Sequence, residues 1–144
     1  MIDVIINPVA GNGRARRIGE KIVEALHKRS VACRAFFTEF AGHATQLARE
    51  AVTRNTDTVL AVGGDGTAYE VASGLVQSRT ALGIIPAGTG NDFIKSIGVP
   101  KDPMAALSHI LDHAPRLTDM GRMNDQLFLN VCGTGFDVSV LEYA

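Results

Sequence analysis

The stretch Gly63-Gly64-Asp65-Gly66-Thr67 sets one carboxylate and one hydroxyl in a loop that has almost no other side chains. Glycine lets a backbone take positive φ or lie very close to a bulky group, and bare N–H groups in such a loop suit a phosphate. Two further glycine loops follow apolar runs, Asn7-Pro8-Val9-Ala10-Gly11-Asn12-Gly13 and Pro86-Ala87-Gly88-Thr89-Gly90-Asn91-Asp92. Asp65, Asp92 and Asp119 are the carboxylates that could manage charge beside them. Three acids brought together repel unless a cation, a hydrogen bond or a proton intervenes, so their clustering would suit metal-assisted phosphoryl transfer. The rival readings are local: Asp65 as a cap in a tight turn, and Asp92 and Asp119 in helix capping or turn formation.

Other motifs narrow the chemistry. No loop ends in Gly-Lys-Ser/Thr, so a Walker lysine is missing, and the dinucleotide fingerprint is missing as well. Charge on a bound nucleotide would have to be balanced by helix ends and a divalent cation. Arg14, Arg16 and Arg17 crowd one helix start, where cations oppose the macrodipole; a nearby anion would offset that cost, and simple solvation is the alternative. His109 and His113 share a helix face, but Ile110 stands where a zincin has its glutamate, which favours a structural or solvated pair. Phe36, Phe37 and Phe40 read as strand and loop packing.

These loops need elements to position them. Apolar runs predict strands at residues 2–6, 31–37, 58–62, 81–85 and 127–132. Helical spacing predicts helices at residues 14–28, from 43 onward, at 67–77, and from Pro103, capped by Asp102, to about 114. Asn124-Asp125 reads as a turn before the last strand. Strands alternating with helices predict an α/β fold with a largely parallel sheet and hairpin-like strands at its C-terminal end. Ligands bind outside the carboxyl ends of such strands, which puts Asn7, Thr38, residues 64–67, residues 89–92 and Asp119 on one expected rim.

The 144 residues, 46% hydrophobic, suffice for one domain that folds without a disulfide or a metal. A net charge of −1 argues against broad binding to nucleic acid. Cys33 and Cys132 supply neither a disulfide framework nor a zinc set, which points to a reducing cytoplasm. The chain starts directly on a strand pattern and has no apolar run near the roughly 20 residues that cross a bilayer.

Taken together, Ile6-Asn7-Pro8 with Ala10-Gly11, Thr38 followed by Gly42-His43-Ala44, residues 63–67 with Glu70, and Pro86 with Gly88-Thr89-Gly90-Asn91-Asp92-Phe93 form a recognisable set. The set resembles the diacylglycerol kinase catalytic-domain family, which includes bacterial lipid kinases and sphingosine kinases. NAD kinases share the glycine-aspartate motif as more distant relatives, and the later Gly88–Phe93 motif favours the lipid-kinase branch. The resemblance covers nearly the whole chain. It implies a nucleotide-binding domain over residues 1–132, with residues 133–144 beginning a β-rich second domain that the chain barely enters at Phe136-Asp137.

The resemblance also implies site residues. ATP would be held by Asn7, Pro8, Val9, Ala10, Gly11, Thr38, Gly64, Asp65, Gly66, Thr67, Ala68, Tyr69, Glu70 and Thr89. Asp65, Asp92 and Asp119 would be catalytic members of a Mg2+-linked network, with the individual metal ligands unassigned. The implied reaction passes the γ-phosphoryl group of ATP to a lipid hydroxyl, such as that of diacylglycerol, at a membrane surface. Ala68-Tyr69 departs from the Ile-Asn pair often found in bacterial members. The general base and much of the lipid pocket would belong to the missing C-terminal domain, so the chain alone is expected to bind nucleotide without completing turnover. Two rivals stand beside this reading: a non-catalytic nucleotide-binding or assembly module, and an NAD kinase-like kinase of a dinucleotide or other soluble metabolite. An apolar face meant for the second domain would also favour homo-oligomers.

Overall fold

The structure, a computed structural model, describes residues 1–129. Cys132, Phe136 and Asp137 lie outside the described residues, as does the end of the strand expected at 127–132.

Four parallel strands form the centre: β1 (Ile2–Ile6), β2 (Cys33–Phe37), β3 (Thr58–Gly63) and β4 (Ala81–Pro86), in the order β2-β1-β3-β4. β1 pairs with both β2 and β3, Ile6 standing opposite Phe37 on one side and Val62 on the other. The inner strands β1 and β3 are apolar almost throughout because both of their faces are covered.

One face packs Val4, Ile6, Leu60, Val62 and Ile85 against α1 (Arg14–Lys28) and α5 (Pro103–Asp112). The other packs Ile5, Val59 and Ala61 against α2 (His43–Thr53) and α3 (Asp65–Leu75). Asp102 caps α5 as expected, its carboxylate accepting the Ala105 N–H at 2.8 Å. His109 and His113 stack their rings near the end of α5, with centroids 4.2 Å apart, and His113 Nδ1 bonds to the His109 carbonyl oxygen at 2.8 Å.

Two features differ from the sequence expectation, and the hairpin-like strands expected at the C-terminal end are present. α3 begins at Asp65, two residues before Thr67, because the chain turns into the helix directly from Gly64. A six-residue helix, α4 (Asp92–Ile97), follows the third glycine loop and buries Phe93 and Ile94 against Ala68 and Ile84. The last strands, β5 (Gly121–Met123) and β6 (Gln126–Phe128), form an antiparallel hairpin that is a sheet of its own. Among the described residues no helix is long and apolar enough to cross a membrane.

Candidate active site

The loops after β1, β3 and β4 meet where the strands end. The Gly63 carbonyl oxygen accepts the N–H groups of Ala87, at 2.8 Å, and Gly88, at 3.1 Å, so the second and third glycine loops are sewn together. A Cβ at Gly88 would lie 2.5 Å from the Gly64 Cα, a separation no side chain tolerates. Asn7 joins the first loop to this pair by donating from Nδ2 to Thr67 Oγ1 at 3.1 Å, while its Oδ1 accepts the Val9 N–H at 3.3 Å.

These loops enclose a cleft of about 420 Å³ lined by Asn7, Ala10, Gly11, residues 64–67, Glu70, Gly88, Thr89 and Gly90. The amino end of α3 forms one wall of it, and the N–H groups of a first helical turn have no intrahelical partner. The wall therefore presents the positive end of the helix to the cleft. Asn7, Thr67 and Glu70 also line an adjoining groove of about 300 Å³, whose far wall is Val9 with Thr38, Glu39, Phe40, Ala41 and Ala44. A third and larger cleft, about 850 Å³, lies on the other side of Asp65; Tyr69, Asp92, Phe93 and the β5–β6 hairpin line it.

Asp65 stands on the wall common to the glycine cleft and the large cleft. Its Oδ2 accepts the Asp92 N–H and its Oδ1 the Phe93 N–H, both at 3.1 Å, so it caps α4 across space. The local-cap reading of Asp65 thus holds in part, although the helix it caps is not the one it begins. Asp92 Oδ1 accepts Lys95 Nζ at 2.6 Å. A Cβ at Gly90 would fall 3.1 Å from Asp65 Oδ2 and 3.5 Å from Asp92 Oδ2, so both carboxylates flank Gly90.

Several expected positions are placed elsewhere. Asp119 is exposed in the segment that leads to the hairpin and lines none of these clefts; the expected rim of three acids contains two. The chain has left the parallel sheet by that point, so the strand-end rule no longer places Asp119. Among the described residues no group of three acids, histidines or cysteines could hold a metal ion. Ala68 is buried against Ile84, Phe93 and Ile94, and its side chain faces the core. Pro8 lines none of the three clefts, and Tyr69 faces the large cleft only. Arg14 donates from Nε to the Gly11 carbonyl oxygen at 3.2 Å, and Arg16 lies over the Phe37 ring at 5.0 Å. His43, which the sequence reading named within Gly42-His43-Ala44 without a role, is tied to the groove wall: its Nδ1 accepts the Glu39 N–H at 3.0 Å and its ring stacks on Phe40 at 4.4 Å.

Known proteins resemble this chain in sequence and fold. Residues 2–123 match the diacylglycerol kinase catalytic domain. A diacylglycerol kinase of Bacillus subtilis is 35% identical over 92% of this chain and 45% of its own length. One from Staphylococcus haemolyticus is 37% identical over 92% of this chain and 41% of its own. The crystal structure of a diacylglycerol kinase from Bacillus anthracis superimposes with a TM-score of 0.79 at 31% identity, covering 98% of this chain and 50% of that one. The chain thus spans about half or less of the length of these relatives. The match runs from β1 through the glycine loops to β5, and on that ground the chain belongs to the diacylglycerol kinase catalytic-domain family.

Proposed function

We propose that this chain is the ATP-binding part of a lipid kinase that passes the γ-phosphoryl group of ATP to a lipid hydroxyl such as that of diacylglycerol. The observation that carries the reading is Asp65, which stands between a polar cleft built of backbone and a larger cleft walled in part by Tyr69, Phe93, Leu127 and Phe128. A triphosphate suits the first and a lipid hydroxyl the second. The adjoining groove, with Val9, Phe40 and Thr38, suits the nucleoside.

The amino end of α3 would receive phosphate oxygens on its N–H groups, and Thr67, held by Asn7, would keep that turn in place. Gly64 and Gly88 let the two loops close behind the phosphates. Asp65 and Asp92 fit a Mg2+ ion, which is commonly held by one or two carboxylates and by the substrate's own phosphates. Bound there, the ion would neutralise phosphate charge. We assign the group that takes the acceptor's proton, and most of the lipid contacts, to a C-terminal domain in the length of the relatives that this chain does not span. In this reading residues 1–132 form the nucleotide domain, and the complete cytoplasmic enzyme works peripherally at a membrane.

Calorimetric titration of the chain with Mg2+-ATP tests the reading. Binding is expected, and Asp65→Ala should weaken it about tenfold or more, the scale of one lost charge-assisted interaction. Wild-type affinity in that variant would overturn the placement of ATP. In an enzyme that carries the second domain, Asp65→Asn should lower turnover about 100-fold or more.

A further inference from the structure

The resemblance sets Glu70 among the groups that touch nucleotide, and it lines both the cleft and the groove, while each of its carboxylate oxygens also accepts a backbone N–H from the neighbouring helix start. Oε1 accepts the Gly42 N–H at 3.1 Å and Oε2 accepts the Ala44 N–H at 3.2 Å. Thr45 Oγ1 donates to the Glu70 carbonyl oxygen at 2.9 Å, adding a third tie between α3 and the start of α2. α2 needs these ties. Its cap position is Gly42, which offers no side-chain acceptor, and its first turn has no acidic residue. The His43 N–H meets the nearby Phe40 carbonyl oxygen at 3.1 Å, and Glu70 supplies from the neighbouring helix the acceptor for the Gly42 and Ala44 N–H groups at the positive end of α2.

The segment that Glu70 holds is the wall of the groove. Thr38, Glu39, Phe40, Ala41 and Ala44 line it, and His43 braces it from within through Glu39 and Phe40. We propose that Glu70 is a positioning residue that acts through the amino end of α2, fixing this wall so that the groove is formed before nucleotide arrives. The proposal rests on the nucleotide reading above and adds to it: Glu70 lines both the cleft and the groove, and its hold on α2 is a role beside any contact it makes there. A preformed wall lowers the ordering cost of binding, so loosening it weakens affinity on its own account.

The test combines amide hydrogen exchange on the nucleotide-free chain with Mg2+-ATP titration, for wild type, Glu70→Ala and Glu70→Gln. In Glu70→Ala, exchange at Gly42 and Ala44 should quicken about tenfold or more while the amides of α1 keep their wild-type rates. The dissociation constant for Mg2+-ATP should rise in parallel. Glu70→Gln retains one acceptor oxygen and should recover part of both effects. Unchanged exchange at Gly42 and Ala44 with weakened binding would make Glu70 a ligand contact and overturn the proposal. Faster exchange with unchanged affinity would overturn it as well, as would faster exchange throughout the fold. Failure of the wild-type chain to bind Mg2+-ATP would instead sink the nucleotide reading; the exchange data, taken without nucleotide, tell the two failures apart.

Discussion

At the scale of single residues, the glycines of the cleft divide by what surrounds them. Gly88 and Gly64 face each other too closely for a side chain, which packing alone explains. Gly66 is different: a Cβ there would meet nothing within 4 Å, and its φ is not positive. Nothing in the fold demands glycine at a position inside the first turn of α3, whereas a phosphate lying against the cleft wall would. Gly66→Ala should therefore raise stability by about 0.5–1 kcal/mol, the usual helix gain of alanine over glycine, yet weaken Mg2+-ATP binding about tenfold. A thermal melt and a titration on the same sample would show the opposite signs, and undiminished affinity would remove phosphate from that wall. The sequence marked Gly63, Gly64 and Gly66 as one motif, because a run of glycines announces that something comes close without saying what. Asp65 was equally visible, but its use as a cap for α4 was not, since Asp92 and Phe93 are distant in sequence.

Among elements, the seam between α2 and α3 carries the groove wall, and Gly74 sets its width. A Cβ there would lie 2.6 Å from both the Ala48 Cβ and the Thr45 carbonyl oxygen, and the second of these is backbone that moves only if the helix moves. Gly74→Ala is expected to cost about 1–3 kcal/mol of overpacking, against a propensity gain of about 1. A net loss in thermal stability together with weaker Mg2+-ATP binding is the expected result, because spreading the helices pulls Gly42 and Ala44 away from Glu70. A variant with a lower melting point and wild-type affinity would show that the seam serves stability alone. The helices on either side of this seam were legible because Leu47, Ala48 and Ala51, and then Val71, Ala72 and Leu75, recur at helical spacing. α4 was not: six residues give one and a half turns of pattern, and Asn91 before it and Gly98 after it read as loop. Asp119 lies outside the three clefts for a related reason. The strand-end rule holds only while the chain stays in the parallel sheet, and a three-residue strand carries no signal that it has left.

Across the whole molecule, the two ends of the sheet have separate duties. The carboxyl ends form the clefts, and the amino ends are closed by an ionic lock around Asp3, which is wholly buried in the central strand β1. Asp3 Oδ1 accepts Arg34 Nε at 2.7 Å, and its Oδ2 accepts Arg54 at 2.9 Å and Thr56 Oγ1 at 3.0 Å. These ties connect β1, β2 and the turn between α2 and β3, so one carboxylate registers three separate parts of the chain. In sequence the lock shows only as an acid inside an apolar run, since its partners stand 31 to 53 positions away. Burial pushes the Asp3 carboxyl up, but the bonds from Arg34, Arg54 and Thr56 outweigh it and hold the group below its ordinary value. Because the unfolded chain then takes up this proton first, the lock gives its full stability above the ordinary carboxylate range and loses it as pH falls through the folded-state value. Asp3→Asn should lower stability near pH 7 by about 2–4 kcal/mol, as one partner of a buried charged network is removed. The gap between the variant and wild type should narrow on acidification, because acid costs wild type what the variant has already lost. At temperatures well below either melting point, Mg2+-ATP affinity should stay within about twofold of wild type, since Asp3 lies at the far end of β1 from Asn7. Denaturant titrations at several pH values, paired with nucleotide titration, would check both halves. A gap that widened in acid would reverse the sign assigned to Asp3, and a large loss of affinity would mean that the lock and the cleft are coupled through β1.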